Sequence, residues 1–308
     1  MPCASSRAVP SPFPPFQLRQ VRDFSQLISG GFAFLRRHGR PLHRAILICC
    51  LPPLLFVIYL LGGAFNSIFG ARPFGSDRDD IGGYLVLGAY AIGLLVALLL
   101  HALTHEFFRL YDQGQAMTTG LLLRRAFRKS LHYLGILVLT GLMLTGAIFL
   151  CVLVFALEEP VLNVVAVLVM IAAVLALLAM CSLASAAQAL EAKGVAAALG
   201  RSWSLVRNQF WPTLGLGIVA GLIVLILCYL VQIIGSIVMV VFMAIGASIE
   251  SQATLVPFFM ALIFGLMFCV LLFTYPVPCA CMMLKYCSRV EEEEGQGLRE
   301  RIAGFGEL

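Results

Sequence analysis

Three residues near the end of one long apolar run, His101, His105 and Glu106, have types and spacing that can do chemistry. Histidines four positions apart share one face of a helix, where their imidazoles can bind a metal ion or pass a proton. Membrane di-iron enzymes use many more histidines than the five in this chain, so that class of site is excluded. The structural alternative is that the three side chains reach the membrane–water interface and pair with Arg109. We adopt the structural interpretation and expect no catalytic residue, metal ion or cofactor.

Two amide side chains, Asn163 and Gln232, are the other polar candidates within the apolar runs. A transporter or proton pump usually buries an Asp, Glu, Lys or Arg near the middle of the membrane. No apolar run of this chain has such a residue clearly at its centre. Gln232 is the best single candidate for a transport site, and an interhelical hydrogen bond explains it equally well.

The elements that carry these residues are long apolar segments. Hydrophobic residues make up 61% of the 308 positions and charged residues 12%, against about a quarter charged in an average soluble domain. Several segments reach the roughly 20 apolar residues that a helix needs to cross a bilayer, and none alternates with the two-residue period of a barrel strand. These segments are residues 45–65, 83–104, 133–156, 161–187, 212–234 and 254–284. We predict an all-α protein, a polytopic transmembrane helical bundle of six spans.

The positive charges are confined to alternate gaps between the spans. All but two of the 21 Lys and Arg residues lie before the first span, in the second and fourth gaps, or after the last span; the exceptions are Arg72 and Arg78. Positively charged loops stay on the cytoplasmic side of a membrane. We therefore predict a multi-pass protein of the bacterial inner membrane with both termini in the cytoplasm.

A basic amphipathic segment precedes the first, third and fifth spans, at residues 24–38, 118–132 and 195–211. The predicted unit is one interfacial helix followed by two spans, repeated three times. Pro41 and Pro212 are expected to mark where an interfacial helix turns into a spanning helix, because proline is tolerated in the first turn. The second copy lacks this proline.

These segments are predicted to lie in the cytoplasmic headgroup layer, with apolar side chains inward and basic side chains toward anionic lipid. Their role is either anchoring and topology, which we favour, or recognition of a lipid headgroup or a membrane-protein partner. We expect no nucleic-acid partner. The candidate interface residues are Arg36, Arg37, Arg124, Arg125, Arg128, Lys129, Arg201, Trp203, Arg207 and Trp211.

The fifth span is unusually long. Residues 212–249 carry no charge before Glu250 and form about 57 Å of helix, nearly twice the membrane thickness. Division into two spans places Lys285 outside the cytoplasm. We therefore predict an over-long or kinked helix whose end projects beyond the bilayer or re-enters it.

Three regions follow from this pattern. Residues 1–16 are rich in proline and are predicted to be a disordered cytoplasmic lead. Residues 17–288 form the six-span membrane domain, and residues 289–308 form an acidic and amphipathic cytoplasmic tail. The acidic run from Glu291 to Glu294 is either solvated, the default for a charge run, or paired with the basic interfacial helices.

Loose sequence blocks carry a resemblance to a known family. They are the lead into the first span with Leu51, Pro52 and Pro53, the block Ala198, Leu199, Arg201, Ser202 and Trp203 with Trp211 and Pro212, and the ending from Glu291 to Ile302. They resemble bacterial six-span proteins grouped with the membrane domain of glycerophosphodiester phosphodiesterases, and the ending is similar to Bacteroidetes-type members. The resemblance covers residues 17–308 and implies the same membrane fold. The family's catalytic barrel takes roughly 250 residues and has no counterpart here, so no active-site residue is carried over.

The function expected from these observations is that of a non-enzymatic scaffold or accessory factor in membrane lipid or envelope handling. The alternative is a small-molecule or lipid transporter with a path between the helix repeats. A water-filled or lipid-sized cavity around Gln232 and Asn163 favours transport, whereas a solid bundle favours scaffolding.

Overall fold

The all-α prediction is confirmed. A computed structural model describes residues 16–69, 79–115, 117–155, 160–244 and 249–295, and this part of the chain holds ten helices and no strand. The helices are α1 (Phe24–His38), α2 (Arg40–Cys49), α3 (Leu51–Phe69), α4 (Asp79–Asp112), α5 (Thr119–Phe155), α6 (Pro160–Glu191), α7 (Val195–Val206), α8 (Phe210–Ala244), α9 (Ile249–Thr274) and α10 (Pro276–Glu294). The predicted lead, residues 1–16, lies almost entirely outside the described residues.

Several helices are long and apolar enough to cross a membrane. Within the described residues there are four such segments, or five if α2 and α3, which meet at a bend of 42°, count as one broken span. The four are Gly82–Asp112, Val167–Glu191, Phe210–Phe242 and Phe259–Glu294. The remaining predicted span, residues 133–156, lies in α5, several of whose side chains are outside the described part. The chain is therefore a multi-pass integral membrane protein.

The three predicted interfacial helices do not all end in the same way. The first and third are the separate helices α1 and α7. Each is followed by a helix with a proline in its first turn, Pro41 in α2, the first part of the broken span, and Pro212 in α8. The second is not a separate helix, because residues 118–132 run without a break into the rest of α5. This copy has no proline to remove a backbone donor, and the helix continues.

The long fifth apolar run forms one helix. α8 covers 35 residues without interruption, which corresponds to about 52 Å. The prediction of an over-long helix is confirmed as far as Ala244, and residues 245–248 lie outside the described part.

Burial is concentrated at one end of the bundle. At this end α4, α6 and α10 finish and α5 and α8 begin; we call it the basic end and the opposite end the open end. The basic end contains most of the buried side chains, including Phe107, Tyr133 and Tyr286. In contrast, no described side chain between residues 137 and 178 is buried, and none between residues 225 and 244.

Helix α1 packs on protein at the basic end. It buries Leu27, Phe34 and Leu35, and the Phe34 ring lies 5.0 Å from Phe108, centroid to centroid. A Cβ atom at Gly31 would come within 2.9 Å of the Cys281 Sγ atom. Glycine therefore lets α1 approach α10 closely, and the inward face of α1 is covered by α10 and α4.

Helix α9 lies between α3 and α8. A Cβ atom at Gly265 of α9 would come within 2.7 Å of Ile58 of α3, and one at Gly235 of α8 within 2.6 Å of Ile263 of α9. Small residues of this kind allow close helix packing in a bilayer, where burying apolar surface gives no advantage over lipid.

Candidate functional site

The residues singled out for chemistry form a buried cluster on α4. Those residues, His101, His105 and Glu106, are all buried, with Glu106 0% exposed. The two imidazole rings lie 4.1 Å apart, centroid to centroid, and His101 Nδ1 is 2.7 Å from the hydroxyl of Tyr275. We predicted that the three side chains reach the membrane–water interface, whereas the structure buries all three within the protein.

The pairing of Glu106 with Arg109 is present. Arg109 Nη1 lies 3.5 Å from Glu106 Oε1, and the Tyr133 hydroxyl donates a hydrogen bond of 2.9 Å to the same oxygen. The cluster thus joins α4 to α5 through Tyr133 and to the α9–α10 junction through Tyr275. A carboxylate that loses its partners at such depth becomes a buried, uncompensated charge.

Several buried polar atoms of this region have no hydrogen-bond partner among the described residues. They are His101 Nε2, Glu106 Oε2, Arg109 Nε and Gln188 Oε1. No group of three or more His, Cys, Asp or Glu side chains in the described chain is placed to hold a metal ion. The cluster links α4 to its neighbouring helices, and Oε1 of the Glu106 carboxylate is paired with Arg109 and accepts a hydrogen bond from Tyr133.

A second group of polar residues surrounds a cavity of about 400 Å³ at the basic end, which we call the charged cavity. Its lining residues are Arg19, Leu190, Glu191, Lys193, Arg201, Tyr286, Cys287, Val290 and Glu294. Arg201 Nε lies 3.3 Å from Glu191 Oε1, and its Nη2 pairs with Glu294. Burial lowers the pKa of Arg201, but the hydrogen bonds to Glu294 and Tyr286 and the charge of Glu191 raise it overall.

The Arg201–Glu294 pair resolves one alternative left open by the sequence. Glu291 to Glu294 form the last turn of α10, and Glu294 is paired with Arg201 of the third interfacial helix. Arg201 therefore belongs to the interior of the basic end and not to the lipid-facing surface. The rest of the predicted tail, from residue 296, lies outside the described part.

The turn between α6 and α7 places two of the cavity residues. Ala192 has a φ of 53°, a left-handed conformation that costs a residue with a Cβ atom about 1–2 kcal/mol. This conformation ends α6 at Glu191 and starts the chain toward Lys193, which pairs with Glu191.

The segment before α1 crosses the basic end. The Phe16 amide donates to the Tyr111 hydroxyl at 2.9 Å, the Arg22 amide donates to Ser288 Oγ at 3.1 Å, and Arg19 pairs with Asp112 at 3.3 Å. Burial lowers the pKa of Arg22. These contacts hold the ends of α4 and α10 together.

The remaining basic candidates lie on the outside of the basic end. Most have no side-chain partner among the described residues: Arg36, Arg124, Arg128, Lys129 and Arg207. Two others do have partners: Arg37 interacts with another residue, and Arg125 donates hydrogen bonds to the side-chain carbonyls of Gln113 and Gln115. Trp203 and Trp211 are exposed beside them, Trp211 by 74%. We call the residues Arg36, Arg124, Arg128, Lys129 and Arg207 the basic rim.

The structure does not place either amide candidate, Gln232 or Asn163, in the buried cluster or the charged cavity. Gln232 is exposed on α8. Asn163 lies in the first turn of α6, and its side chain is outside the described part.

An apolar groove of about 510 Å³ runs between α8 and α9. Its lining residues are Val231, Ile234, Gly235, Val238, Phe259, Leu262, Ile263, Leu266, Cys269, Val270, Phe273 and Thr274. Gln232 is a sequence neighbour of Val231 but does not line the groove. Sequence reasoning missed this groove, although Gly235, which interrupts the apolar run of α8, lines it.

Sequence reasoning also missed the tyrosines that complete both polar groups. Tyr133 and Tyr275 bond to the buried cluster, and Tyr286 donates to Glu191 in the charged cavity. A hydroxyl within an apolar run is a signal for such a bond, because a buried Tyr usually finds a partner.

Comparison with protein-family models, with curated proteins and with solved structures finds no match to this chain.

Proposed function

We propose that this protein is a non-enzymatic scaffold or accessory factor of the bacterial inner membrane, with both termini in the cytoplasm and its basic end bound to anionic phospholipid. The observation that carries the proposal is the separation of its cations into two groups. Those inside the basic end, such as Arg19, Arg201 and Arg289, are paired with carboxylates. Those of the basic rim have no side-chain partner among the described residues.

This separation supports lipid binding for a physical reason. Paired cations hold the helices together, whereas exposed cations next to exposed tryptophans are typical of a protein surface in the headgroup layer. Each basic residue near an anionic membrane surface contributes about 1 kcal/mol of attraction. The resemblance to membrane domains of glycerophosphodiester phosphodiesterases is the reason for placing this binding in lipid or envelope handling.

The proposal is tested by native mass spectrometry of the full chain in mild detergent, with phosphatidylglycerol or the neutral-headgroup phosphatidylcholine added. We expect several phosphatidylglycerol molecules to stay bound and fewer of phosphatidylcholine. The triple variant Arg124→Gln, Arg128→Gln, Arg207→Gln should lose most of this preference. The matched control Arg72→Gln, Arg78→Gln changes the gap predicted to face away from the cytoplasm and should keep it. Equal retention of both lipids by the unchanged protein would overturn the proposal.

A lipid transporter is the second candidate, and the groove between α8 and α9 favours it. A laterally open apolar groove can guide an acyl chain across the bilayer. The test is transfer of a fluorescent phospholipid between leaflets of vesicles containing the purified protein. Transfer faster than in protein-free vesicles would replace the scaffold proposal with transport, and equal rates would remove the transport candidate.

A further inference from the structure

We propose that the groove between α8 and α9 and the exposed basic face of α2 together bind one anionic phospholipid, with an acyl chain in the groove and the phosphate at Arg40 and Arg44. This inference rests on the proposed function only in placing the basic end in an anionic leaflet. It adds a single defined site to the diffuse attraction of the basic rim.

The groove has the composition of an acyl-chain site. Its lining is apolar except for Thr274, whose hydroxyl donates to the Val270 carbonyl at 2.7 Å and so has no free donor for a ligand. From Phe259 to Thr274 the groove follows α9 for about 22 Å. One leaflet of the hydrocarbon core is about 15 Å thick, so the groove is long enough for one chain.

The groove is too small for a partner helix. A helix about 10 Å across occupies roughly 1,700 Å³ over a length of about 22 Å, whereas the groove holds about 510 Å³. A flexible hydrocarbon chain fits this volume and a helix does not. The groove can therefore enclose one acyl chain but not a helix, and the basic turn of α2 beside it favours a phospholipid as the occupant.

Helix α2 connects the groove to positive charge. Phe273 lines the groove and stacks on His43 of α2, with ring centroids 6.3 Å apart and planes 7° from parallel. Arg40, His43 and Arg44 share a helix face, because residues three and four positions apart are neighbours. Arg40 and Arg44 are exposed and have no side-chain partner among the described residues.

The same face of α2 changes from basic to apolar along the helix. One turn after Arg44 it presents Leu47 and Ile48, both exposed. A basic turn followed by an exposed apolar turn marks the boundary between headgroups and hydrocarbon. The two arginines are thus at the level of the lipid phosphates, and the groove that begins at Phe273 lies on the hydrocarbon side of them.

The test uses native mass spectrometry of the full chain with phosphatidylglycerol, under detergent conditions that strip loosely held lipids. We expect one phosphatidylglycerol molecule to remain per chain. Val238→Trp fills the groove and should abolish this one-lipid species, whereas Ile237→Trp, on an exposed position outside the groove, should keep it. The double variant Arg40→Gln, Arg44→Gln should also abolish it, and the rim variant Arg124→Gln, Arg128→Gln, Arg207→Gln should not.

The outcomes separate this inference from the proposed function. If Val238→Trp and the Arg40, Arg44 double variant both retain the one-lipid species, the site is wrong while the basic rim can still bind anionic lipid. If only the Arg40→Gln, Arg44→Gln variant loses the one-lipid species, the acyl chain does not lie in the groove and the inference is again overturned. Retention of phosphatidylcholine equal to that of phosphatidylglycerol overturns both. Each variant is first compared with the unchanged protein by thermal unfolding, and an Ile234→Phe variant replaces Val238→Trp if the latter fails to fold.

Discussion

The basic end and the open end of the bundle are both built from apolar helices, but side chains are buried mostly at the basic end. Tyr133, in the half of α5 at the basic end, is 0% exposed, whereas Tyr84, near the start of α4 at the open end, is 73% exposed. Within α6 alone, Leu168 is exposed and Leu183 is buried. Residue type therefore does not decide burial in this protein.

The difference shows what holds a membrane bundle together. Lipid tails solvate leucine as well as another helix does, so apolar surface alone drives little helix association. The basic end has in addition the ion pairs of Glu106, Glu191 and Glu294, whereas close glycine contacts occur both there, at Gly31, and farther along the bundle, at Gly235 and Gly265. We infer that most of the stability of the fold is located there, and the following variants test that inference.

The largest effect is expected at Glu106. Glu106→Leu leaves the charge of Arg109 without its carboxylate in the protein interior and should lower the free energy of unfolding by about 3–5 kcal/mol. Glu106→Gln keeps an acceptor for the Tyr133 hydroxyl and should cost less. Denaturation in detergent, followed by circular dichroism, measures both variants. An unchanged stability in Glu106→Leu would show that the buried cluster does not hold α4 to α5.

A smaller effect is expected at the glycine between α1 and α10. Gly31→Ala pushes a Cβ atom against Cys281 and should cost about 1–3 kcal/mol by overpacking.

The control is Gly221→Ala, because a Cβ atom at Gly221 meets nothing within 4 Å. It should keep or raise the stability, since alanine is favoured over glycine in a helix by up to about 1 kcal/mol. A loss of stability in Gly221→Ala, together with a change in oligomeric state, would mean that another helix covers this face in the membrane.

The next effect concerns the charged cavity. Arg201→Gln removes the pairs with Glu191 and Glu294, and with the Arg201 side chain 19% exposed it should cost about 1–2 kcal/mol after allowance for solvent screening. Arg207→Gln, on the exposed basic rim, should leave the melting temperature unchanged. Equal melting temperatures for the two variants would show that the cavity pairs do not stabilise the basic end.

The smallest effect is a pH dependence at His38. Burial and the charge of Arg37 lower the pKa of His38, whose ring lies 5.0 Å from that of Tyr111. Because the unfolded pKa is about 6.5, the unfolded chain binds the proton more readily, and the contribution of His38 to stability is lost as the pH falls below about 6.5 toward the lower pKa of the folded state.

The measurement is the melting temperature of wild-type protein and of His38→Gln on either side of that pH. The wild type should lose more stability than the variant on acidification. Parallel curves for the two proteins would show that His38 does not titrate differently on folding.

Several elements were predictable because their signals are local. The amphipathic period of residues 24–38 matches α1 at both ends, and Val195 begins both the predicted third segment and α7. The second segment was predicted as a separate helix and is not, because amphipathicity indicates which face is buried and does not indicate where a helix stops. The two segments that form separate helices are each followed by a helix with a proline in its first turn, Pro41 in α2 and Pro212 in α8.

The buried cluster was predictable only in part. The pairing of Glu106 with Arg109 follows from a spacing of three on one helix. Its other partners, Tyr133 and Tyr275, come from α5 and the α9–α10 junction. The periodicity of one helix does not indicate which helix packs against it. The burial of His101, His105 and Glu106 was therefore not predicted.

The sequence by itself determined the helical class, the membrane-spanning segments and the alternation of charge along the chain, because hydrocarbon demands satisfied backbone amides and long apolar runs. The tertiary structure alone decided which cations are paired inside the basic end and which stay on the basic rim. It also decided where α8 and α9 leave a groove. These depend on contacts between residues far apart in the chain, and in a lipid solvent small residues and polar bonds, more than hydrophobicity, select those contacts.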